Sequence, residues 1–414
     1  MKILYVTHQF YPESTGGTER FLLGLARAVQ RRGYRAEVAT YSMRDASEFA
    51  PSSPILQRDY VYDLVPVTAF RHAKLPIDVN SFVADTALAL AARAHLSTRG
   101  YDLVHVVHPM RMSSFAVSAA ELGIPYILTL TDFWTICPKI TLQTSYGSLC
   151  AGPEGGDACA KLCPELRSAD VKARLAETHD ILRRAKAVVS PSHFAGGVVR
   201  KEFPDVELTV IPHGLRSDGF VPQEKTYENG SEVVFGYCGG LAPHKGVHLL
   251  ISAFRSIGTD RGYLRIHGDA GPNDRPYADQ LKKMATGDNR ISFCGAYDAK
   301  HAAAIFRSLD VVVVPSLSYE TYSFTLHEAM AAQVPAIVSA TGALAEEVKD
   351  GENGLTFALG DEAALAAKLK LVVDNTSLLN SVKNALKRYA PPLEEEEAYL
   401  YERIYSGVTQ RCAS

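Results

Sequence analysis
Residues 3–7 (Ile3, Leu4, Tyr5, Val6, Thr7) form a short uncharged run, the pattern of a strand buried on both faces. A loop holding Gly16 and Gly17 follows, and Phe21, Leu22, Leu25 and Val29 then recur at helical spacing. The same succession returns at residues 233–237. There Gly239, Gly240 and Gly246 make the loop, and Val247, Leu249, Leu250 and Phe254 make the helical stripe. The chain therefore starts twice, each time as strand, glycine loop and helix.

After the first start, apolar runs at 35–40, 103–107, 126–130, 187–189 and 207–211 predict further strands. After the second, runs at 263–266, 291–294, 311–314, 336–338 and 355–357 do the same. Uniformly apolar strands alternating with helical patterns predict parallel sheets covered by helices on both faces. The expected architecture is α/β: two tandem doubly wound, Rossmann-like domains, 1–222 and 223–393, with a cleft between them. Residues 223–231 read as the linker, being polar and containing Asn229 and Gly230. A last helical pattern, 394–408, follows Pro391 and Pro392 and could cross back onto the first domain.

Composition narrows the class without naming it. The 414 residues are 47% apolar and 21% charged, which excludes a disordered, collagen-like or coiled-coil chain. A net charge of −3 gives no global basic field that would point to nucleic acid. The opening apolar run stops at His8 and Gln9, too early for a secretory signal, and no run is long enough for a membrane span. A soluble cytoplasmic protein is expected. Arg20, Arg27, Arg31, Arg32 and Arg35 make the first helix basic, which fits either a solvated face or peripheral contact with an anionic inner membrane surface.

In doubly wound sheets ligands bind where strands exit into helices, so the strand exits carry the candidate chemistry. After 311–314 the chain runs from Pro315 through Glu320 to Glu328. Ser323 suits an N-cap there, and the backbone N–H groups of Phe324 and Thr325 would then form an anion site for a phosphate. Glu320 before the helix and Glu328 inside it could reach a sugar hydroxyl and a ribose hydroxyl. The plainer alternative makes Glu320 a loop acid and Glu328 part of a solvated helix face. The exit at Gly239, Gly240, Pro243, His244, Lys245 and Gly246 offers close backbone approach and a lysine charge to a diphosphate. It is neither a Walker loop nor G-x-G-x-x-G, and taken alone it could be an ordinary turn. Gly16 and Gly17 mark the third exit.

Glu320 and Glu328 stand with seven residues between them, downstream of the Gly240–Lys245–Gly246 loop and of Gly16-Gly17-Thr18-Glu19. Gly342, Glu346, Asp350, Gly351, Asn353 and Gly354 follow. In this order, and over nearly the whole chain, the pattern resembles the family 4 retaining glycosyltransferases, which have the two-domain GT-B fold. The resemblance implies that the second domain binds a UDP-, GDP- or ADP-sugar. Lys245 would contact the diphosphate, Glu320 the sugar, Glu328 the ribose, and the turn at Ser323, Phe324 and Thr325 the phosphate. Gly17 would approach the donor phosphate, and a glycan, lipid-linked or small acceptor would lie against the first domain. It also implies retention at the anomeric carbon without a catalytic metal, and no D-x-D element is present. Two readings share the tandem domains: a sugar-nucleotide epimerase, and a non-catalytic nucleotide-sugar-binding protein.

The chain departs from the family pattern in three places. Gly240 stands where an arginine is usual, leaving the positive charge to another group such as His244. Thr131 stands where a histidine is usual, which makes Asp132 the replacement candidate for the catalytic, sugar-side contact. His213 replaces the usual asparagine before the linker. His108 could touch substrate, whereas His105 reads as a core histidine. Separately, Cys137, Cys150, Cys159 and Cys163 fall in one glycine-rich insertion, 137–163. Four thiolates could close a structural tetrahedral site, most often zinc. An iron–sulfur cluster, two disulfides or four unconnected thiols fit the same count, and the spacing lacks C-x2-C pairs. Cys238, Cys294 and Cys412 read as ordinary buried or tail thiols.

Overall fold
The structure, a computed structural model, describes every residue except 51–53, 82, 217–219, 221, 223 and 411–414. Gln223, at the start of the expected linker, and Cys412 therefore lie outside the described residues. The chain folds as two compact units: Met1–Gly214 together with the segment from Pro392 onward, and Leu215–Pro391.

The first unit holds β1 (Lys2–Thr7), β2 (Arg35–Tyr41), β3 (Ile55–Tyr62), β4 (Val65–His72), β5 (Leu103–Val106), β6 (Tyr126–Thr129), β7 (Val188–Ser190) and β8 (Leu208–Val210). They lie in the order β3-β4-β2-β1-β5-β6-β7-β8. Every pairing is parallel except β3 with β4. That antiparallel pair was not expected from the sequence. Its two-residue turn is Asp63-Leu64, with φ of 46° and 68°. Such a turn normally announces itself by Asn-Gly or Asp-Gly, and leucine in a left-handed conformation gives no such signal.

The helix Gly17–Arg31 buries Phe21, Leu22, Leu25 and Val29 against the sheet, as the spacing predicts. The final helix Glu394–Gln410 packs on it and inserts Tyr401 and Tyr405 fully into the core. Their hydroxyls join a continuous chain of hydrogen bonds. Tyr5 meets Tyr405 at 3.2 Å, Tyr405 meets His105 Nδ1 at 2.9 Å, His105 Nε2 meets Thr129 at 2.8 Å, and Thr129 meets Tyr401 at 2.9 Å. A buried hydroxyl without a partner costs about 1–3 kcal/mol, so this chain makes the burial of three tyrosines tolerable.

The second unit holds β9 (Val233–Cys238), β10 (Gly262–His267), β11 (Ile291–Gly295), β12 (Val311–Val314), β13 (Ala336–Ser339) and β14 (Leu355–Phe357). The order is β11-β10-β9-β12-β13-β14, all parallel. Strand order reverses between β9 and β12, and the crevice beyond their carboxyl ends is where such sheets bind ligands. Buried Asp310, just before β12, accepts hydrogen bonds from Val234 N–H, Tyr227 and Lys225. The polar segment that enters this unit is fastened to its sheet in this way. Among the described residues no helix is long and apolar enough to cross a membrane.

Candidate functional site
At the switch point of the second unit, the loops leaving β9 and β12 interlock. Gly239 and Gly246 have φ of 156° and 71°. A Cβ on Gly246 would stand 2.0 Å from the Pro315 carbonyl oxygen, so only glycine lets the two loops touch. Leu317 N–H donates to the His244 carbonyl at 2.7 Å, and the Thr325 hydroxyl to the Cys238 carbonyl at 2.9 Å.

These contacts bring Lys245 Nζ to 2.8 Å from Glu320 Oε1, which also accepts from the Ser316 hydroxyl at 2.6 Å. Burial pushes the Glu320 carboxyl up, but Lys245 and Ser316 outweigh it and hold its pKa below the ordinary value. Glu320 therefore stays a carboxylate near pH 7.

The next helix, Phe324–Ala331, begins where the sequence placed it. Ser323 is its N-cap, with Oγ accepting from Leu326 N–H at 3.3 Å. The Tyr322 ring stacks on His327 at 4.1 Å and pins the entry to this helix. Glu328 is 1% exposed, so it does not belong to a solvated helix face.

Gly240 is exposed, with open space where a side chain would stand. His244 does not replace the missing arginine charge. Burial, then Lys245, pushes its pKa down, leaving a neutral ring near pH 7.

In the first unit, the carboxyl ends of β1, β5 and β6 gather a second polar group. His108 Nδ1 accepts from Met110 N–H at 3.2 Å, so Nε2 carries the proton and donates to Asp132 Oδ2 at 2.6 Å. Asp132 Oδ1 accepts from Trp134 N–H at 2.8 Å. Trp134 is itself held by Asn80, which takes its indole N–H, and by the Arg174 guanidinium 4.2 Å over its ring. Asp132 and His108 thus act as one fixed pair, and His105 sits in the core as expected.

Gly16 and Gly17 open the first helix, with Glu19 folded beneath them; a Cβ on Gly16 would lie 2.7 Å from Glu19 Oε2. The sequence reading passed over His8 and Arg111. The His8 ring lies 3.9 Å from that of His108, and the Arg111 guanidinium donates to the His8 carbonyl and to Asn80. Each sits one to five residues past a strand end, a positional signal too common to single them out.

Cys137, Cys150, Cys159 and Cys163 are buried and free. Burial and the three neighbouring thiols push Cys159 up to about 12, so it stays protonated. Among the described residues no group of three or more His, Cys, Asp or Glu side chains is arranged to hold a metal ion. The expected zinc or iron–sulfur site gains no support from this arrangement, and the four thiols are not joined as disulfides. Cys238 is buried as expected, whereas Cys294 is exposed. Of the five arginines around the first helix, Arg27, Arg31 and Arg32 pair with Asp63, Glu395 and Glu402.

A family profile described as Glycosyltransferase Family 4 matches residues 15–218, and one described as Glycosyl transferases group 1 matches residues 232–375. An uncharacterized glycosyltransferase of Methanocaldococcus jannaschii is 31% identical over 367 residues, covering 86% of this chain and 84% of that protein. The phosphatidyl-myo-inositol mannosyltransferase of Mycobacterium leprae is 28% identical over 376 residues, covering 88% and 85%. Among solved structures, sucrose-phosphate synthase from Thermosynechococcus elongatus superposes with a TM-score of 0.70 at 19% identity, over 100% of both chains. Anabaena HepE, solved with UDP and glucose, gives 0.66 at 17% identity, over 100% of this chain and 98% of that one. The two doubly wound units are those of the GT-B fold, and the chain belongs to the family 4 glycosyltransferases.

Proposed function
We propose that the protein moves a glycosyl group from a nucleotide-diphosphate sugar to a hydroxyl of a glycan, a lipid-linked glycan or a small acceptor. Retention at the anomeric carbon and independence of a catalytic metal are part of the proposal. The observation that carries it is the Lys245–Glu320 ion pair, set by interlocked loops at the switch point and followed directly by a capped helix N-terminus.

In this reading Lys245 and the N–H groups of Phe324 and Thr325 hold the diphosphate, with Ser323 fixing the turn. Glu320 takes sugar hydroxyls and Glu328 the ribose. Gly240 leaves room for the diphosphate, and neutral His244 contributes hydrogen bonding alone. By resemblance, Gly17 offers its N–H to the donor phosphate with Gly16 shaping the turn beside it, while His108 and Asp132 meet the transferred sugar or the acceptor.

During transfer the bond from the anomeric carbon to the diphosphate oxygen breaks while the acceptor oxygen bonds on the same face. The acceptor proton passes to the departing phosphate oxygen. Lys245 and the helix N-terminus meet the negative charge that develops there, and one such preorganised donor is typically worth about 2.7–4 kcal/mol in the transition state.

The test is product analysis: NMR coupling constants of the new glycosidic bond, formed after treatment with EDTA. A product with the donor's anomeric configuration supports the reading. An inverted product, or activity restored only by a divalent cation, contradicts it.

A further inference from the structure
We infer that Glu19 and His8 form a hydroxyl-binding pair for a sugar or cyclitol ring, an inference that rests on the carbohydrate-transfer reading above. Glu19 is 2% exposed. The N–H groups of Gly16 and Glu19 at the start of the first helix, together with Ser14, hydrogen-bond its carboxyl group. Helix capping accounts for that half of the carboxyl. Oε1 is different: it is buried and finds no hydrogen-bond partner among the described residues.

An orphaned buried oxygen of this kind costs about 1–3 kcal/mol and calls for a reason, since native structures satisfy nearly all such groups. His8 Nε2 faces it at 3.9 Å, too far for a direct hydrogen bond.

The ring of His8 is not free to close that gap. It lies against His108, which Met110 and Asp132 hold, and the His8 carbonyl is tied to Arg111. Burial, His108 and Arg111 all push the His8 pKa well down, so the ring is neutral.

The pair therefore presents an acceptor oxygen beside a neutral imidazole nitrogen. A hydroxyl group suits both, since it donates its one proton to the carboxyl oxygen and accepts from the imidazole when Nε2 carries the ring proton. An ionised carboxyl repels a phosphate, although burial pushes the Glu19 pKa up. The hydroxyl could belong to the transferred sugar or to the acceptor, and the two sources are separable by experiment.

The experiment uses the full chain and two variants, Glu19→Gln and His8→Phe, which keep the side-chain volume and the ring stacking. Thermal shift is followed with UDP, GDP and ADP, with their glucose esters, and with free glucose and myo-inositol in the presence of the tightest nucleotide. The expected result is that the nucleotide alone stabilises wild type and both variants equally. Binding of at least one hydroxylated probe is expected to be at least tenfold weaker in both variants. If the loss appears with the nucleotide-sugar, the hydroxyl is the donor's; if with the free ring, it is the acceptor's.

Equal affinity of all probes for wild type and variants overturns the pairing, as does failure of every hydroxylated probe to bind wild type beyond the nucleotide. Failure of all three nucleotides to bind wild type instead overturns the transfer reading itself. Unchanged melting of both variants without ligand guards against a folding defect.

Discussion
Lys245 Nζ stands 2.8 Å from Glu320 Oε1 although 75 positions separate the two residues in the chain. The contact exists because two strand-exit loops interlock through Gly246, and it leaves a half-buried carboxylate dependent on a single cation. Lys245→Ala and Glu320→Ala should each lower transfer at least about 100-fold, the scale of losing one preorganised group in a polar site. The double variant should cost far less than the product of the singles, because the partners act as a unit. Turnover within tenfold of wild type in both singles would remove them from the site.

Glycine positions in the same loop should divide sharply. Gly246→Ala places a Cβ 2.0 Å from the Pro315 carbonyl oxygen at a φ of 71°, and should lower stability by more than about 2 kcal/mol. At Gly240 a Cβ meets nothing within 4 Å. Gly240→Arg should therefore fold normally and tighten binding of the preferred nucleotide diphosphate at least threefold. Melting curves and calorimetry read both outcomes; a tolerated Gly246→Ala would contradict the interlocking of the loops.

Acid should loosen the first unit through its buried histidines. Burial pushes the His105 pKa down to about 3 and that of His95 to about 4, against about 6.5 in an unfolded chain. Below pH 6.5 the unfolded state binds protons that the folded state refuses. The stability contributed by a neutral ring is thus whole above pH 6.5 and declines toward pH 3, by about 1.4 kcal/mol per pH unit for each such ring. Urea midpoints at pH 7, 6 and 5 should fall less steeply in His105→Gln than in wild type. Parallel slopes would contradict the assignment.

Thiol labelling should follow burial. Cys294 is exposed, whereas Cys137, Cys150, Cys159, Cys163 and Cys238 are buried, and burial raises the pKa of Cys137, Cys159 and Cys238. Iodoacetamide on the folded protein, read by mass spectrometry, should label Cys294 well before those five. Fast labelling of the four-cysteine insertion would show that it is open in solution.

The doubled strand–glycine–helix pattern was legible because fully buried parallel strands have no polar face to break their apolar runs. β3 and β4 were not, since Asp63-Leu64 turns without glycine and Pro66 interrupts the second strand. The ends of the candidate donor site could be read from Lys245, Glu320 and Ser323, because loop chemistry of this kind is local. Neutral His244 and buried Glu328 could not be read, because both depend on what packs around them. The four cysteines were legible as a cluster, since, beyond burial, three of the thiols lie close enough to push the pKa of Cys159 up, but the metal-holding arrangement expected of them is not found among the described residues.

The most direct test of the account is calorimetric titration of UDP, GDP and ADP into wild type and Lys245→Ala. At least one nucleotide should bind wild type and lose at least tenfold in affinity in the variant, which should still unfold cooperatively, at a lower melting temperature because Glu320 is left without its cation. Equal binding to both proteins, or no binding to either, would contradict the placement of the diphosphate at the Lys245–Glu320 pair.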